Sequence, residues 1–415
     1  MTVLILRQMT ESVKNTFQNF PCIFINGPRQ SGKTTLAQLV LADEEHTYIN
    51  FDDTAKLAIA SGSPEDFLSG YDGKLILDEI QLIPQLYRAL KSRIDTIRWE
   101  KKGKAAGLYI LTGSTNILAL PQLADALVGR MIIKTLYPLS ASEVYGGKGD
   151  FLQRLKEGNF RAGTVPQFNV VEAMERATFP EIRQSNDLFR TEWFQSYIST
   201  LIQRDVKHIM DIEKVTLLSQ LLRLLSSRIG GLLNEADLSR SVKENAVTTK
   251  RYLTLLNLLF LTITIPPWFR NIGKRFIKAP KSYLIDINMA CYMLGNSLKD
   301  IEKNDPQLFG HLLENFVVLE LLKQISQPIH QSGLYHFRTG EGKEVDLVIE
   351  YPDQKLLGIE VKASDQVSLK DCVGLFELQK LIPEDFLMGC VLYRGREIMK
   401  ISDKIWALPI SLLWS

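Results

Sequence analysis

The residues whose types and spacing do chemistry begin at Gly27-Pro28-Arg29-Gln30-Ser31-Gly32-Lys33-Thr34-Thr35. Cys22–Asn26 before them is a short apolar run of strand character, and TTLAQLVLA after them has helical spacing. Glycines at 27 and 32 let successive backbone N–H groups curl around phosphate oxygens, and the helix N-terminus adds partial positive charge. In such a loop Lys33 reaches the β- and γ-phosphates of ATP and the Thr34 hydroxyl ligates Mg²⁺. Residues 27–35 therefore read as a phosphate cradle, the strongest chemical signal in the chain.

A phosphate-bound Mg²⁺ needs an acid on a second strand. KLILDEIQ, residues 74–81, supplies an apolar run ending in Asp78-Glu79. Asp78 is expected to anchor the metal shell and Glu79 to polarise the attacking water. A further strand, Leu108–Leu111, ends in Thr112-Gly113-Ser114, where a polar side chain can hold that water; Ser114 is the first choice and Thr112 the second. Arg130, just before the strand MIIKTLYPLS, has two readings. It is an arginine finger reaching a neighbouring subunit's γ-phosphate, or a surface cation ending a helix.

A second centre lies at 343–362. KEVDLVIE and KLLGIEVK alternate with the same parity around the turn YPDQ. A hairpin centred on Asp353 sets Asp346 opposite Glu360 and Glu344 opposite Lys362, with Cβ atoms about 4.5–5.5 Å apart. Carboxylates that close repel unless a proton or a divalent cation joins them, and oxygen ligands suit Mg²⁺ or Mn²⁺. Glu314, on the apolar stripe of LFGHLLENFVVLELL, is costly to bury unless neutral or paired.

The elements that position these residues follow. Residues 147–170, rich in Gly and charge, read as a linker leading into a helical lid. An amphipathic helix over 214–228 precedes the Gly230-Gly231 break. NEADLSRSVKE, with Asn234 as N-cap, and AVTTKRYLTLLNLLFL give two more helices, then strands are expected near Ile263 and over Ser282–Ile285. This is winged-helix order. It puts Thr248, Thr249, Lys250 and Arg251 near the start of a recognition helix, and Arg270, Lys274, Arg275, Lys278 and Lys281 in the loop between strands, where they can grip DNA phosphates.

Composition bounds the class. Hydrophobic residues make up 45% and charged residues 23%, and Lys plus Arg exceeds Asp plus Glu by 49 − 47 = 2. That excludes a disordered chain and a uniformly basic coat, though not a local basic face. Cys22, Cys291, Cys372 and Cys390 form no CxxC pair, so reduced thiols in a cytoplasmic protein are expected. The apolar stretch 252–268 is interrupted by Asn257, Thr262, Thr264 and Pro266-Pro267, and reads as core, with no membrane span.

GPRQSGKTT, LILDEIQ, ILTGST, LVGR and YPLSASE, in this order, resemble the prokaryotic AAA-type ATPase family fused to a C-terminal domain of unknown function. The resemblance implies an ATPase core. The helix WFQSYISTLIQRDV resembles that family's Tyr…Arg-Asp helix at Tyr197, Arg204 and Asp205, a pair expected to dock the lid. Asp346…Glu360-x-Lys362 resembles the PD-(D/E)xK nuclease signature. That implies Lys362 as the group that orients or deprotonates water and Glu314 as the further acid. The expectation is an α/β chain with a P-loop (ASCE/AAA-type) ATPase core over 1–146 and a linker and helical lid over 147–212. A winged-helix module over 213–285 and a restriction-endonuclease-like α/β domain over 286–415 complete it. The expected function is ATP-regulated action on DNA by a homo-oligomer; the alternative is a non-nucleolytic switch with a protein-interaction platform.

Overall fold

The structure, a computed structural model, describes residues 4–103, 105–115, 127–205, 214–326 and 332–415. The chain forms two compact units. One spans residues 1–138, and the other 139–415 apart from 258–260, which group with the first.

The first unit is built on strands β1 (Cys22–Asn26), β2 (His46–Asn50), β3 (Lys74–Asp78), β4 (Tyr109–Gly113) and β5 (Met131–Thr135). They form one parallel sheet in the order β2-β3-β4-β1-β5. A parallel sheet is covered on both faces, which is why CIFIN and YILTG read as continuous buried runs. The period of two sorts β1 between two cores. Cys22 and Phe24 pack with Leu75, Leu77, Tyr87 and Leu90, while Ile23 and Ile25 pack with Val13, Phe17, Leu36 and Val40. The helix Leu86–Glu100 thus covers one face, and Thr10–Asn19 with Lys33–Val40 the other.

The second unit holds a seven-stranded sheet in the order β6-β13-β14-β12-β11-β10-β9 and a two-stranded sheet β7-β8. Its strands are β6 (Gly163–Thr164), β7 (Thr262–Ile265), β8 (Lys281–Leu284), β9 (Gly333–Arg338), β10 (Glu344–Glu350), β11 (Leu356–Lys362), β12 (Phe386–Tyr393), β13 (Glu397–Lys400) and β14 (Ile405–Pro409). β9, β10 and β11 run antiparallel in succession, whereas β11, β12 and β14 are parallel neighbours. The hairpin register is the one the alternation predicts: Leu347 faces Ile359 and Val348 faces Gly358.

Residues 147–170 differ from the expected linker. They contain the helix Phe151–Glu157 and strand β6, which extends the large sheet. Phe151, Leu152 and Leu155 bury one helical face, a spacing masked by the flanking Gly and charge. The helices Val215–Ser227, Glu235–Val242 and Ala246–Leu258 and the antiparallel pair β7–β8 occur in the expected sequence, but a further helix, Ile272–Ile277, lies between the strands. All four cysteines are free and buried. Among the described residues no helix is long and apolar enough to cross a membrane.

Gly374, near the start of the helix Val373–Leu381, permits the closest approach over the hairpin. A Cβ there would lie 1.7 Å from the Glu344 carbonyl oxygen. Gly374→Ala is expected to cost about 1–3 kcal/mol or more by overpacking. Gly310→Ala, whose Cβ meets nothing within 4 Å, is expected to stay within about 1 kcal/mol of wild type or gain stability. Denaturant midpoints of the two variants check this.

Candidate functional site

The loop after β1 closes onto the helix Lys33–Val40 through two left-handed glycines. Gly27 has φ 148°, and a Cβ there would sit 2.2 Å from the Leu136 carbonyl oxygen, so glycine is required. Gly32, at φ 95°, forms the helix entry. Lys33 Nζ donates to the carbonyls of Gly27 at 3.1 Å and Pro28 at 2.8 Å, which holds the ammonium inside the loop. Arg29 is half-buried, while Gln30 (φ 61°) and Thr35 are exposed. The Ser31 hydroxyl is buried and makes no hydrogen bond in the chain. A nucleotide phosphate fits such a cradle: it satisfies that hydroxyl, and Lys33 supplies the counter-charge.

Asp78, at the end of β3, is buried and takes three hydroxyl donors. Thr34 Oγ1 lies 2.9 and 3.2 Å from its two oxygens, Tyr48 O–H donates at 2.6 Å, and Thr112 Oγ1 also donates. Parallel β2 and β4 flank β3, so their ends deliver Tyr48 and Thr112 to the same carboxylate. Burial, and then Asp78, hold the Tyr48 phenol above its ordinary range. The sheet thus brings together Thr34 and Asp78, the expected Mg²⁺ ligands, and a hydroxyl–carboxylate pair is a hard-oxygen donor set that suits that ion.

Glu79 sits in a left-handed conformation (φ 57°) where β3 turns into a short 3₁₀ helix, and its N–H donates to Thr112 Oγ1 at 3.2 Å. Its Oε2 accepts from Ser114 Oγ at 3.2 Å and from Gln81 Nε2, and Gln81 Nε2 also donates to Ser114 Oγ at 3.0 Å. Ser114 therefore faces Glu79, while Thr112 ties Asp78 to the Glu79 backbone.

Sequence reasoning missed Tyr48, Gln81 as an orienting group, and Arg7. Arg7 is buried and donates to Ser31 O at 2.8 Å and Tyr137 O at 2.7 Å, bracing the outer wall of the loop. No motif marks it, whereas Gln81 stands inside LILDEIQ.

Arg130 is held by Asp95 of the helix Leu86–Glu100, with Nε to Oδ1 at 2.7 Å and Nη2 to Oδ2 at 2.8 Å. The hydrogen bonds of that fork keep Asp95 below its ordinary range and Arg130 above its own. The side chains of Arg204 and Asp205 lie outside the described residues.

In the second unit, β10 and α-helical Glu314 meet. Asp346 sits at an irregularity of the β9–β10 ladder and accepts from Val361 N at 2.9 Å. Glu314, Asp346 and Glu360 are all buried. Burial, then Asp346, push Glu314 up to about 7 and Glu360 well above the carboxylate range. Lys362 Nζ reaches Glu360 Oε2 at 3.2 Å. The hairpin does bring the expected acids and lysine into one region.

Two corrections attach to the basic segment that follows β7 and runs into β8, whose first residue is Lys281. Lys281 is buried, with Nζ 2.8 Å from Glu314 Oε1 and 3.5 Å from Asp346 Oδ1, so it sits inside the acidic pocket and not on a phosphate-gripping surface. Arg275 forms a fork on Glu350, which also accepts from Trp268 Nε1 at 3.0 Å, and Arg270 lies 3.6 Å from Asp385. Burial alone would raise Glu350, but Arg275 and the indole N–H hold it below the usual range. These acids come from distant sequence, which is why the segment read as unopposed. Thr249 is buried and donates to Asn245 O at 3.0 Å, so it cannot present itself to a base edge. Among the described residues no group of three or more His, Cys, Asp or Glu side chains is arranged to hold a metal ion.

A parallel α/β sheet with this cradle after β1 and these acids ending β3 defines a P-loop ATPase domain. Residues 19–145 match the family model of an AAA domain, and the domain is of the AAA ATPase type. Residues 167–300 and 309–413 match two domains of unknown function, DUF8612 and DUF4143. An uncharacterised protein of Mycobacterium tuberculosis is 26% identical over 406 residues, 97% of this chain and 83% of that protein. One from Haemophilus influenzae is 22% identical over 359 residues, 80% of each. Similar solved structures include the Walker-type ATPase PABY2304 of Pyrococcus abyssi, at 13% identity and TM-score 0.40, covering 70% of this chain and 96% of that one. The Thermotoga maritima RuvB branch migration motor gives 15%, 0.29, and 66% and 95%.

Because Arg130 is tied to Asp95, Arg130→Ala is expected to leave ATP turnover within about fivefold of wild type, the scale of a solvent-exposed pair. A much larger loss, with turnover restored by mixing with Glu79→Gln protein, would make Arg130 a finger across a subunit interface. Steady-state ATPase assays on the single and mixed proteins decide.

Proposed function

We propose that the chain is a Mg²⁺-dependent ATP hydrolase that works as a switch, its nucleotide state acting on a C-terminal half that binds and does not cut. One observation carries the hydrolytic part: the Glu79 carboxylate is oriented by Ser114 and Gln81 beside an Asp78 that holds the P-loop hydroxyl of Thr34. In this reading Lys33 offsets charge on the β- and γ-phosphates. Thr34 and Asp78 would hold Mg²⁺, which when bound neutralises charge on the same phosphates. Glu79 accepts the proton of the attacking water, and Ser114 with Gln81 fixes the carboxylate toward it.

The C-terminal part of the reading rests on order. A helix, Pro306–Ile325, precedes β9–β10–β11, and a second helix leads to parallel β12. That order, with Asp346, Glu360 and Lys362 on the hairpin, supports a nuclease-like fold. The three helices before β7–β8 support a winged-helix module. A homo-oligomer enters the proposal if mixing with Glu79→Gln protein restores turnover to Arg130→Ala protein.

Action on DNA is a second reading, favoured by a specific observation. Lys274 and Lys278 are exposed on the helix and turn between β7 and β8, and Lys250 is exposed near the start of Ala246–Leu258.

Two outcomes test these readings. Lys33→Ala is expected to abolish ATP binding, whereas Glu79→Gln binds ATP but turns it over about a hundredfold or more slower. Equal rates for Glu79→Gln and wild type would remove Glu79 from the proposal. If the basic segment grips DNA, Lys274→Ala with Lys278→Ala lowers the slope of log affinity against log salt by about two units. An unchanged slope, measured by fluorescence anisotropy, leaves the protein-binding switch.

A further inference from the structure

The acidic pocket of the second unit has the residues a nuclease-like site requires, yet one oxygen each of Glu314 and Glu360 and both of Asp346 already face a donor or cation. Glu314 Oε1 accepts from Lys281 Nζ at 2.8 Å and from the Tyr283 hydroxyl at 2.6 Å. Asp346 Oδ1 lies 3.5 Å from the same ammonium, and Asp346 Oδ2 accepts the Val361 N–H. Glu360 Oε2 accepts from Lys362. A Mg²⁺ or Mn²⁺ ion needs near-octahedral oxygen ligands at about 2.1 Å, and an ammonium held between the leading pair of carboxylates occupies that space. The nuclease metal therefore does not fit the pocket as folded.

Lys281 does not reach the pocket by the wandering of a surface side chain. Its backbone is paired on both sides, to Ile265 of β7 and to Leu232. Gly230 N–H donates to Ser282 O at 2.9 Å, and Ser282 N–H donates to Gly231 O at 3.0 Å. Gly230, whose φ of 72° is left-handed, stands beside the Glu314 helix, its Cβ position 3.4 Å from Glu314 Oε2 and from His311 Nδ1, so this strand segment runs against that helix. The Tyr283 hydroxyl, two residues along the same strand face, donates to the same carboxylate. The β7–β8 module thus delivers an ammonium and a hydroxyl together.

We propose that Lys281 is the resident cation of this pocket, standing where a nuclease-like site would hold a divalent metal, and that its ammonium keeps the pocket closed to metal. The proposal rests on the nuclease-like reading of Glu314, Asp346 and Glu360. It assigns the non-cutting behaviour of the C-terminal half to one residue, and it makes the docking of β8 on the helix Pro306–Ile325 the contact that enforces it.

The test compares full-length wild type, Lys281→Met and Lys281→Met/Asp346→Asn without nucleotide, titrated with MnCl₂ and followed by thermal unfolding and calorimetry. Lys281→Met keeps the length of the stem and removes the ammonium. It is expected to bind Mn²⁺ at least tenfold more tightly than wild type, with its Tm rising by about 5 °C or more at a hundredfold excess over Kd. Asp346→Asn should erase that gain. A folded Lys281→Met protein with no Mn²⁺ response overturns the proposal. So does wild type that binds Mn²⁺ or cleaves DNA in a manner lost on Asp346→Asn.

If Lys281→Met unfolds with and without Mn²⁺, Lys281→Arg and Lys281→Gln decide. Retained folding of the cationic Arg variant and loss of folding in the neutral Gln variant support a resident cation. Equal stability of the two overturns it. Failure of the nuclease-like reading shows separately. Lys281→Met that binds Mn²⁺ through Asp346 yet never nicks DNA leaves the resident cation standing and counts against that reading, whereas nicking lost on Lys362→Ala supports both.

Discussion

A buried carboxylate held by three hydroxyl donors, Asp78, is the constraint on which the nucleotide site depends. A carboxyl group away from water is tolerated when hydrogen bonds replace its hydration. Here the donors come from the P-loop helix, β2 and β4, through Thr34, Tyr48 and Thr112. Each belongs to a different element, so the carboxylate fixes their mutual position. Thr112 passes the constraint on, because it also accepts the Glu79 N–H and so sets the strand-to-turn bend at which the catalytic candidate stands. The strand order places β3 between β2 and β4, with β1 next, so the carboxyl ends of neighbouring parallel strands converge on one rim.

The second unit obeys the same rule with ammonium and guanidinium groups. Arg275 on Glu350 and Lys281 on Glu314 and Asp346 join the segment that follows β7 and runs into β8 to the helix Pro306–Ile325 and to strand β10. Lys281, Glu314 and Asp346 are buried, so removing one of them is costly, on the order of 3–5 kcal/mol, because the other charge stays behind, whereas the half-buried Arg275–Glu350 pair costs less. These pairs are therefore constraints on the docking of elements as much as chemical groups. Glu320 of the same helix is buried, accepts the Ala141 N–H at 3.0 Å and pairs with Lys323, which donates to Leu139 O.

Features encoded by local periodicity were legible in the sequence. β1, the P-loop and its helix follow from an apolar run, two glycines and helical spacing within residues 22–41. The β10–β11 register follows from alternation around one turn, and the ladder pairs Leu347 with Ile359 as that alternation requires. Glu314 stood out because an acid on an apolar stripe needs a partner. What the sequence did not disclose is which partner it has. Lys281 lies 33 residues from Glu314 and 65 from Asp346, and nothing local distinguishes it from the exposed Lys278. The same distance hid Tyr48 and Arg7, whose roles depend on which strand lies beside which. Composition misled at 147–170, where Gly and charge concealed the apolar face of Phe151–Glu157.

The proposed hydrolysis depends on Asp78 as the acid that joins the P-loop hydroxyl to a nucleotide-bound Mg²⁺. The direct measurement is calorimetric ATP affinity of wild type and Asp78→Asn, each with and without Mg²⁺. Wild type is expected to gain about tenfold or more in affinity when Mg²⁺ is added, and Asp78→Asn, which keeps the volume but lacks the charge, to lose most of that gain. The same Mg²⁺-dependent gain in both proteins would contradict the account.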